Sequence, residues 1–275
     1  MMMTLEKIFK LNANGTNSRN EVIAGFTTFL TMAYILIINP SILSSTGMDS
    51  GALFTATAIS SFVACVVMGL VANLPIALAP GLGINVFFAY TIVSQMGYSW
   101  EMALAAVFIE GLIFIILSLL NIRDLIIRSI PLVLKYAISI GIGLFITTIG
   151  LINSGVIVSG GAFSKLGDVS STPVLLTFIS IIIIGVLMVK RVKGALMLGM
   201  LITTVIAIPM GVVTIPDGFS PISMPSSLEP IMFKMDFSNI FTIDMLIVIF
   251  ILIFSDLFDT AGTLFAVCSQ IGASG

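Results

Sequence analysis

The sequence predicts an all-α polytopic membrane protein, and three observations carry that reading. Hydrophobic residues make up 58% of the 275 and charged residues only 9%, against roughly 25% charged in soluble domains. Apolar runs of about 20 residues recur along nearly the whole chain, the length a helix needs to cross a bilayer; barrel strands would give short alternating segments instead. Mean hydropathy is +1.21. The same composition sets other classes aside. No basic stripe with interleaved aromatics suggests nucleic acid. The chain has no His and no cluster of Cys with acids at ligand spacing, so neither a metal nor a cofactor is expected. Cys65 and Cys268 fall in separate apolar spans and read as buried thiols rather than a disulfide.

Residues 1–21 are polar and include Lys7, Lys10 and Arg19. No small-residue cleavage site follows a short apolar region, so the first span is expected to stay in the mature chain. Spans are expected at 22–43, 52–74, 76–94, 102–120, 132–152, 174–189, 195–215 and 243–267. The third is interrupted: PIALAPGLGIN carries Pro75, Pro80, Gly81 and Gly83 where a regular helix would break. Whether it crosses is decided by the basic residues. If it does, Lys7, Lys10 and Arg19, then Arg123, Arg128 and Lys135, then Lys190, Arg191 and Lys193 share one side, and only Lys165 and Lys234 lie opposite. That is the positive-inside pattern, so the segment crosses and the N-terminus is cytoplasmic. Asn14-Gly15-Thr16 matches a glycosylation acceptor but falls on the cytoplasmic side, where the match is chance. Loops 153–173 and 216–242 are rich in Gly, Ser and Pro and lie outside.

The second loop separates seven spans from an eighth. Sliding the chain by 228 residues sets residues 26–33 beside 254–261 and carries Ser41 onto Ser269. Seven spans between equivalents would make the copies inverted in the membrane, the design of transporters whose substrate sites lie at discontinuous helices near the midplane. On this reading the chain stops after the first helix of the second copy and is a fragment.

Asp256 and Asp259 are i and i+3 in a span apolar enough to cross a bilayer, with Thr260 and Thr263 four residues after each. An intramembrane acid costs a few kcal/mol and marks a site with a partner. The stripe can hold a hydrogen-bonding solute while a carboxylate takes and releases a proton; the alternative is that the acids pair with a basic residue and lock helices together. PGLGIN, residues 80–85, exposes backbone groups at membrane depth, which is tolerated only against protein or a cavity. A helix starting near Gly83 would aim amides at a ligand, and Asn85 adds a donor and an acceptor. The alternative is a kink that lets helices pack closely. Glu110 is mid-span with no acid or base at helical spacing, and reads equally as a supporting residue or as the lining of a hydrated cavity. Phe87, Phe88 and Tyr90 can stack on a planar ligand or simply pack. Glu101 and Trp100 read as interfacial, and Asp124 with Arg128 as a surface pair.

GFTTFLTMAYIL, NLPIALAPGLGINVFFAY, IPLVLKYAISIGIGLFI and FSDLFDTAGTLF, in this order and spacing, resemble the AzgA-like purine permeases among the nucleobase:cation symporters, over the chain from about Glu6 onward. The resemblance implies fourteen helices in two inverted seven-helix repeats, with a core domain moving past a gate domain. Residues 22–120 would be core helices one to four, 121–216 gate helices five to seven, 217–242 the extracellular loop and 243–275 the first helix of the second repeat. An extended stretch at 76–80 would face the substrate, so Ala79, Gly81, Gly83 and Asn85, together with Asp256 or Asp259 and Thr260, would bind a purine nucleobase. Asp256 or Asp259 would couple its uptake to H+, with Na+ left open as the coupling ion; a homodimer is compatible with the resemblance. The family's tenth helix, which carries a further acid, has no counterpart in this sequence. Two acids on the site face argue against an anion carrier of the same architecture, and both acids lying on one helix argues against an intramembrane aspartyl protease. An inactive structural fragment is the remaining alternative.

Overall fold

The computed structural model describes residues 9, 11, 15–120, 131–159, 164–213 and 224–270, with side chains omitted for 261–270 and for seven positions of the helix that opens at residue 132. Asn14, Asp124, Arg128 and Gly275, and the side chains of Lys135, Thr263 and Cys268, lie outside the described residues. Each expected span corresponds to helix, with informative differences at the ends. The span expected at 22–43 is two helices, α1 (Ser18–Met32) and α2 (Ile35–Ser44). Asn17 caps the first, its side chain accepting from the Asn20 amide at 3.0 Å. The junction at Ala33 and Tyr34 closes on short bonds from Leu36 N–H to the Ala33 carbonyl at 3.1 Å and Ile37 N–H to Tyr34 at 3.0 Å. Pro40 inside α2 withholds a further ladder bond.

Helix α3 (Ser50–Val67) widens into the π-helical turn π1 (Met68–Ala72) and stops at Asn73, whose φ of 51° is left-handed. Asn tolerates that conformation, so the helix ends before the expected residue 74. No regular structure follows until α4 (Leu82–Val86), which runs on as π2 (Phe87–Gln95). The interruption expected from Pro75, Pro80 and the glycines is therefore present, and it begins at Asn73. Helix α5 (Trp100–Leu119) is capped by Ser99, which accepts from the Met102 amide at 3.3 Å. Helices α6 (Leu132–Asn153), α7 (Thr172–Val189), α8 (Ala195–Ala207) and α9 (Ile243–Gln270) complete the set. Helix α8 falls short of the expected residue 215 because Pro209 has no N–H to donate to the ladder. Among the described residues, four helical stretches are long and apolar enough to cross a membrane by length and composition: Ser18–Ser44, Ser50–Ala72, Trp100–Leu119 and Thr172–Val189.

The all-α expectation needs one correction. Loop 153–173 holds an antiparallel pair, β1 (Ile157–Ser159) with β2 (Ser164–Leu166), in register Ile157 to Leu166 and Val158 to Lys165. Consecutive β-branched residues Val156, Ile157 and Val158 favour extended backbone there.

The described residues form two compact units. One takes its residues from Met1–Ile38, Thr57–Ala79 and Thr148–Pro225, the other from Asn39–Ala56, Pro80–Thr147 and Ser226–Gly275. In the first, α8 packs on α7 and on α1. Gly199 makes the α7 approach possible, since a Cβ there would lie 2.3 Å from Ile184 Cγ1. The extended stretch also belongs to this unit. Its Leu78 amide donates to the Cys65 thiol at 3.1 Å, and the thiol donates back to the Leu78 carbonyl at 3.3 Å. Cys65, expected as a buried thiol, is half-buried and serves as a backbone partner.

The second unit has the main core. Helix α5 offers Met102, Ala103 and Ala106, and α9 offers Met245, Val248, Ile249 and Leu252, all buried. The alanines let the two backbones approach closely, as small residues do between membrane helices. Residues 224–242 are tied to this unit: the buried Thr55 hydroxyl donates to the Ser226 carbonyl at 3.0 Å, and the Asp236 amide donates to the Glu101 carbonyl at 3.0 Å.

Gly199→Leu is expected to destabilise the folded protein by about 1–3 kcal/mol, the usual cost of overpacking, because Ile184 Cγ1 is not a free side-chain end that can swing away. Thermal unfolding of the detergent-solubilised protein would read it; an unchanged midpoint would show that α7 and α8 tolerate a wider separation.

Candidate functional site

The helix that resumes after the break and Asp259 come together in the second unit. A cavity of about 200 Å³ is lined by Gly83, Ile84 and Phe87 from α4 and the start of π2, by Gly141 and Phe145 from α6, and by Leu252, Ser255 and Asp259 from α9. That is smaller than the ~300–1,000 Å³ of pockets for drug-sized ligands, and suits a small molecule. Two walls are glycine backbone, two are phenylalanine rings, and the charge comes from one carboxyl.

Gly81 is the residue on which Asp259 rests. It precedes α4 in extended backbone at φ −74°, ψ 121°. A Cβ built there would meet Asp259 Oδ2 at 3.0 Å, so a side chain would make the carboxyl give by a few tenths of an ångström. The first backbone bond into the turn runs from the Asn85 amide to the Gly81 carbonyl at 3.4 Å. Amides ahead of that bond have no partner in the helix itself.

The predicted residues separate into those that line the cavity and those that support it. Gly83 and Asp259 line it, and Gly81 abuts Asp259. Asn85 is not in the lining. Its Nδ2 donates to Asn39 Oδ1, in a bond to a buried residue of α2 that sequence reasoning did not single out. Thr260 donates from Oγ1 to Asp256 Oδ1 at 3.3 Å along the helix. Ala79 belongs to the other unit, where it lines a groove with Cys65 and residues 74–78. Of the three aromatics named from sequence, Phe87 lines the cavity and Phe88 is buried in the core. Phe145, which supplies the other ring, was not anticipated; its signal was the position in IPLVLKYAISIGIGLFI one turn after Gly141.

Asp256 faces a different neighbour. Its carboxyl acts electrostatically on Glu110 of α5, a residue only 8% exposed. Spacing along the sequence leaves Glu110 alone because no acid or base shares its helix face. The partner is on another helix.

Comparison with known proteins gives the setting for this geometry. A family model described as the Permease family matches residues 19–274. The chain belongs to that family. It is 45% identical over 280 residues to the guanine/hypoxanthine permease PbuG of Bacillus subtilis, covering 98% of this chain and 63% of that protein. It is 39% identical over 269 residues to the adenine permease AdeP of Escherichia coli, covering 98% of this chain and 60% of that protein. It is 40% identical over 271 residues to the guanine/hypoxanthine permease PbuO of Bacillus subtilis, covering 96% of this chain and 62% of that protein. The chain thus spans a little over three fifths of the length of these relatives, and the resemblance to purine permeases drawn from its motifs is borne out. The family and these names are those of transporters rather than enzymes.

Removing one side of the asparagine pair tests how α4 is held. Asn39→Ala is expected to lower stability by about 1 kcal/mol, the net worth of a typical hydrogen bond, and Asn39→Ala with Asn85→Ala to cost less than the sum of the two single changes. A double-mutant thermal series would check this; strict additivity would mean the two amides do not depend on each other.

Proposed function

We propose that the protein to which this sequence belongs takes up purine nucleobases, namely hypoxanthine, guanine or adenine, across the cytoplasmic membrane together with a proton. The observation that carries this reading is the cavity lined by Asp259, Phe87 and Phe145, with Gly81 close against the Asp259 carboxyl. The relatives' names supply the substrate class. A purine is flat, mostly apolar on its faces and lined with N–H donors and ring-nitrogen acceptors at its edge. The rings take the faces, and Gly83 and Gly141 let backbone approach the edge without side chains intervening. Asp259 accepts from a ring N–H, and the amides that open α4 donate to ring nitrogen or a carbonyl oxygen. A carboxylate inside the membrane is costly when charged and unpartnered. Taking up a proton together with a neutral base lowers the barrier to moving the occupied site, which couples the two flows.

The rest of the reading follows the family pattern. The seven-helix repeat is inverted in a second copy, core and gate domains move past each other, the N-terminus is cytoplasmic, and the transporter works as a homodimer in the lipid bilayer. Asp259 argues against an anion as substrate, since its charge would repel one.

Uptake of radiolabelled hypoxanthine in cells lacking purine uptake, with adenine, guanine, xanthine and uracil as competitors, tests the proposal. Purines are expected to compete and uracil to fail, with uptake falling as external pH rises and indifferent to sodium. Asp259→Asn and Gly81→Val are each expected to reduce uptake at least about tenfold, equivalent to ~1.4 kcal/mol, while reaching the membrane in normal amount. Unchanged uptake in both would remove this cavity as the purine site.

A further inference from the structure

We propose that Glu110 and Asp256 form a second proton-binding site, buried behind the purine site and distinct from Asp259, that holds the coupled proton between α5 and α9. The proposal rests on the permease reading above and deepens it.

Three observations converge. The first is an unmet hydrogen-bonding requirement. Glu110 is 92% buried by its 8% exposure, and its Oε1 has no hydrogen-bond partner among the described residues. Buried carboxyl oxygens are almost always satisfied, and one that is not calls for an explanation such as a missing ion. The second is the register of the helix pair. Tyr98, just ahead of α5, donates from its hydroxyl to Asp244 Oδ2 near the start of α9 at 3.3 Å, a sequence separation of 146. Glu110 and Asp256 have the same separation, each lying twelve residues further along. At 1.5 Å per residue the two helices, starting together and running in the same direction, bring these acids level about 18 Å from that bond. The third is the packing stripe. On α9 the positions 245, 249, 252 and 256 alternate in steps of four and three, and on α5 so do 103, 106 and 110. Met245, Ile249, Leu252, Ala103 and Ala106 are all core residues, so both acids continue apolar stripes that face each other.

Other charged groups do not fill this role. Titratable residues on the elements packed against α5 are Tyr90 on π2, Asp244, Asp256 and Asp259 on α9, and Glu229, Lys234 and Asp236 in the stretch that crosses its start. Of these, Asp256 is the one that the register of α5 and α9 brings level with Glu110. The described residues hold no group of three or more ligating side chains suited to a metal ion, which favours a proton over a coordinated metal. A proton on one carboxyl supplies the O–H donor that Oε1 lacks, and the other carboxyl is its acceptor. Asp259 follows Asp256 by one turn, so proton occupancy here is felt in the purine cavity.

The test uses the full-length permease containing this sequence, purified and reconstituted in vesicles. Glu110→Gln keeps the shape and fixes a neutral side chain. It is expected to exchange internal for external hypoxanthine at the parent rate, yet to lose at least tenfold in accumulation driven by a pH gradient, with a flattened pH profile. Glu110→Asp is expected to restore the pH dependence in part. An infrared difference spectrum of the parent, recorded on purine binding, is expected to show the carbonyl stretch of a protonated carboxylic acid, and Glu110→Gln to lack it. Should Glu110→Gln not fold, the same band is followed in Asp256→Asn, where it is expected to shift. An intact pH-driven accumulation in Glu110→Gln, or a band unmoved in Asp256→Asn, overturns the proton site. If the parent itself neither exchanges nor accumulates purines, the failure belongs to the permease reading, and this proposal falls with it.

Discussion

Inside a bilayer an extended backbone has to find its hydrogen bonds within the protein, because hydrocarbon offers none. The segment from Asn73 to Gly81 is where this chain meets that requirement. A helix would have satisfied every group internally, and two prolines forbid it. Side chains take over instead, and one thiol, that of Cys65, serves both the amide and the carbonyl of Leu78. Small residues make the complementary contribution, since Gly81 leaves room for a carboxyl where any side chain would crowd it. An interruption that looks like a defect in the hydropathy pattern is thereby converted into accessible backbone beside a titratable group.

Much of this was legible in the sequence because the membrane leaves few options. Length and apolar runs made each helix legible, though two differ from the expected spans by six and eight residues at one end, and PIALAPGLGIN announced its own break. What remained illegible were the contacts between spans. Asn85 was legible as a polar residue on a broken helix, but its partner Asn39 sits in α2, and nothing in the sequence spacing ties one to the other. Glu110 reads as solitary for the same reason: helical spacing reports neighbours on one helix only, and its neighbour is on another. The information was present in weak form, since the expected spans four and eight, both even-numbered, are expected to run in the same direction. The register between them needed Tyr98 and Asp244. Local chemistry produced the remaining surprises. The β1–β2 pair arises from a run of β-branched residues in a loop read only for its Gly, Ser and Pro content, and Pro209 shortens α8 within a span that hydropathy alone extends.

The two aspartates in FSDLFDTAGT pose a physical difficulty if they serve one function. Like charges so close in low dielectric disfavour each other's ionisation, and a single ligand-binding carboxyl would do the work of both. Their geometry removes the difficulty. Three residues on a helix are about 60° apart around the axis and ~4.5 Å along it, enough to give each its own neighbour. Asp259 lines the cavity beside Phe87 and Phe145; Asp256 continues the packed stripe toward α5 and Glu110. One turn of helix therefore separates a carboxyl that lines the cavity from the carboxyl assigned above to the proton site. A charge change at either is transmitted to the other through a rigid element and a few ångströms of poorly screening surroundings, with no need for a chain of moving parts. In the carrier proposed above, two acids one turn apart on one helix give a short physical route between two sites, in a span otherwise apolar enough to cross a bilayer.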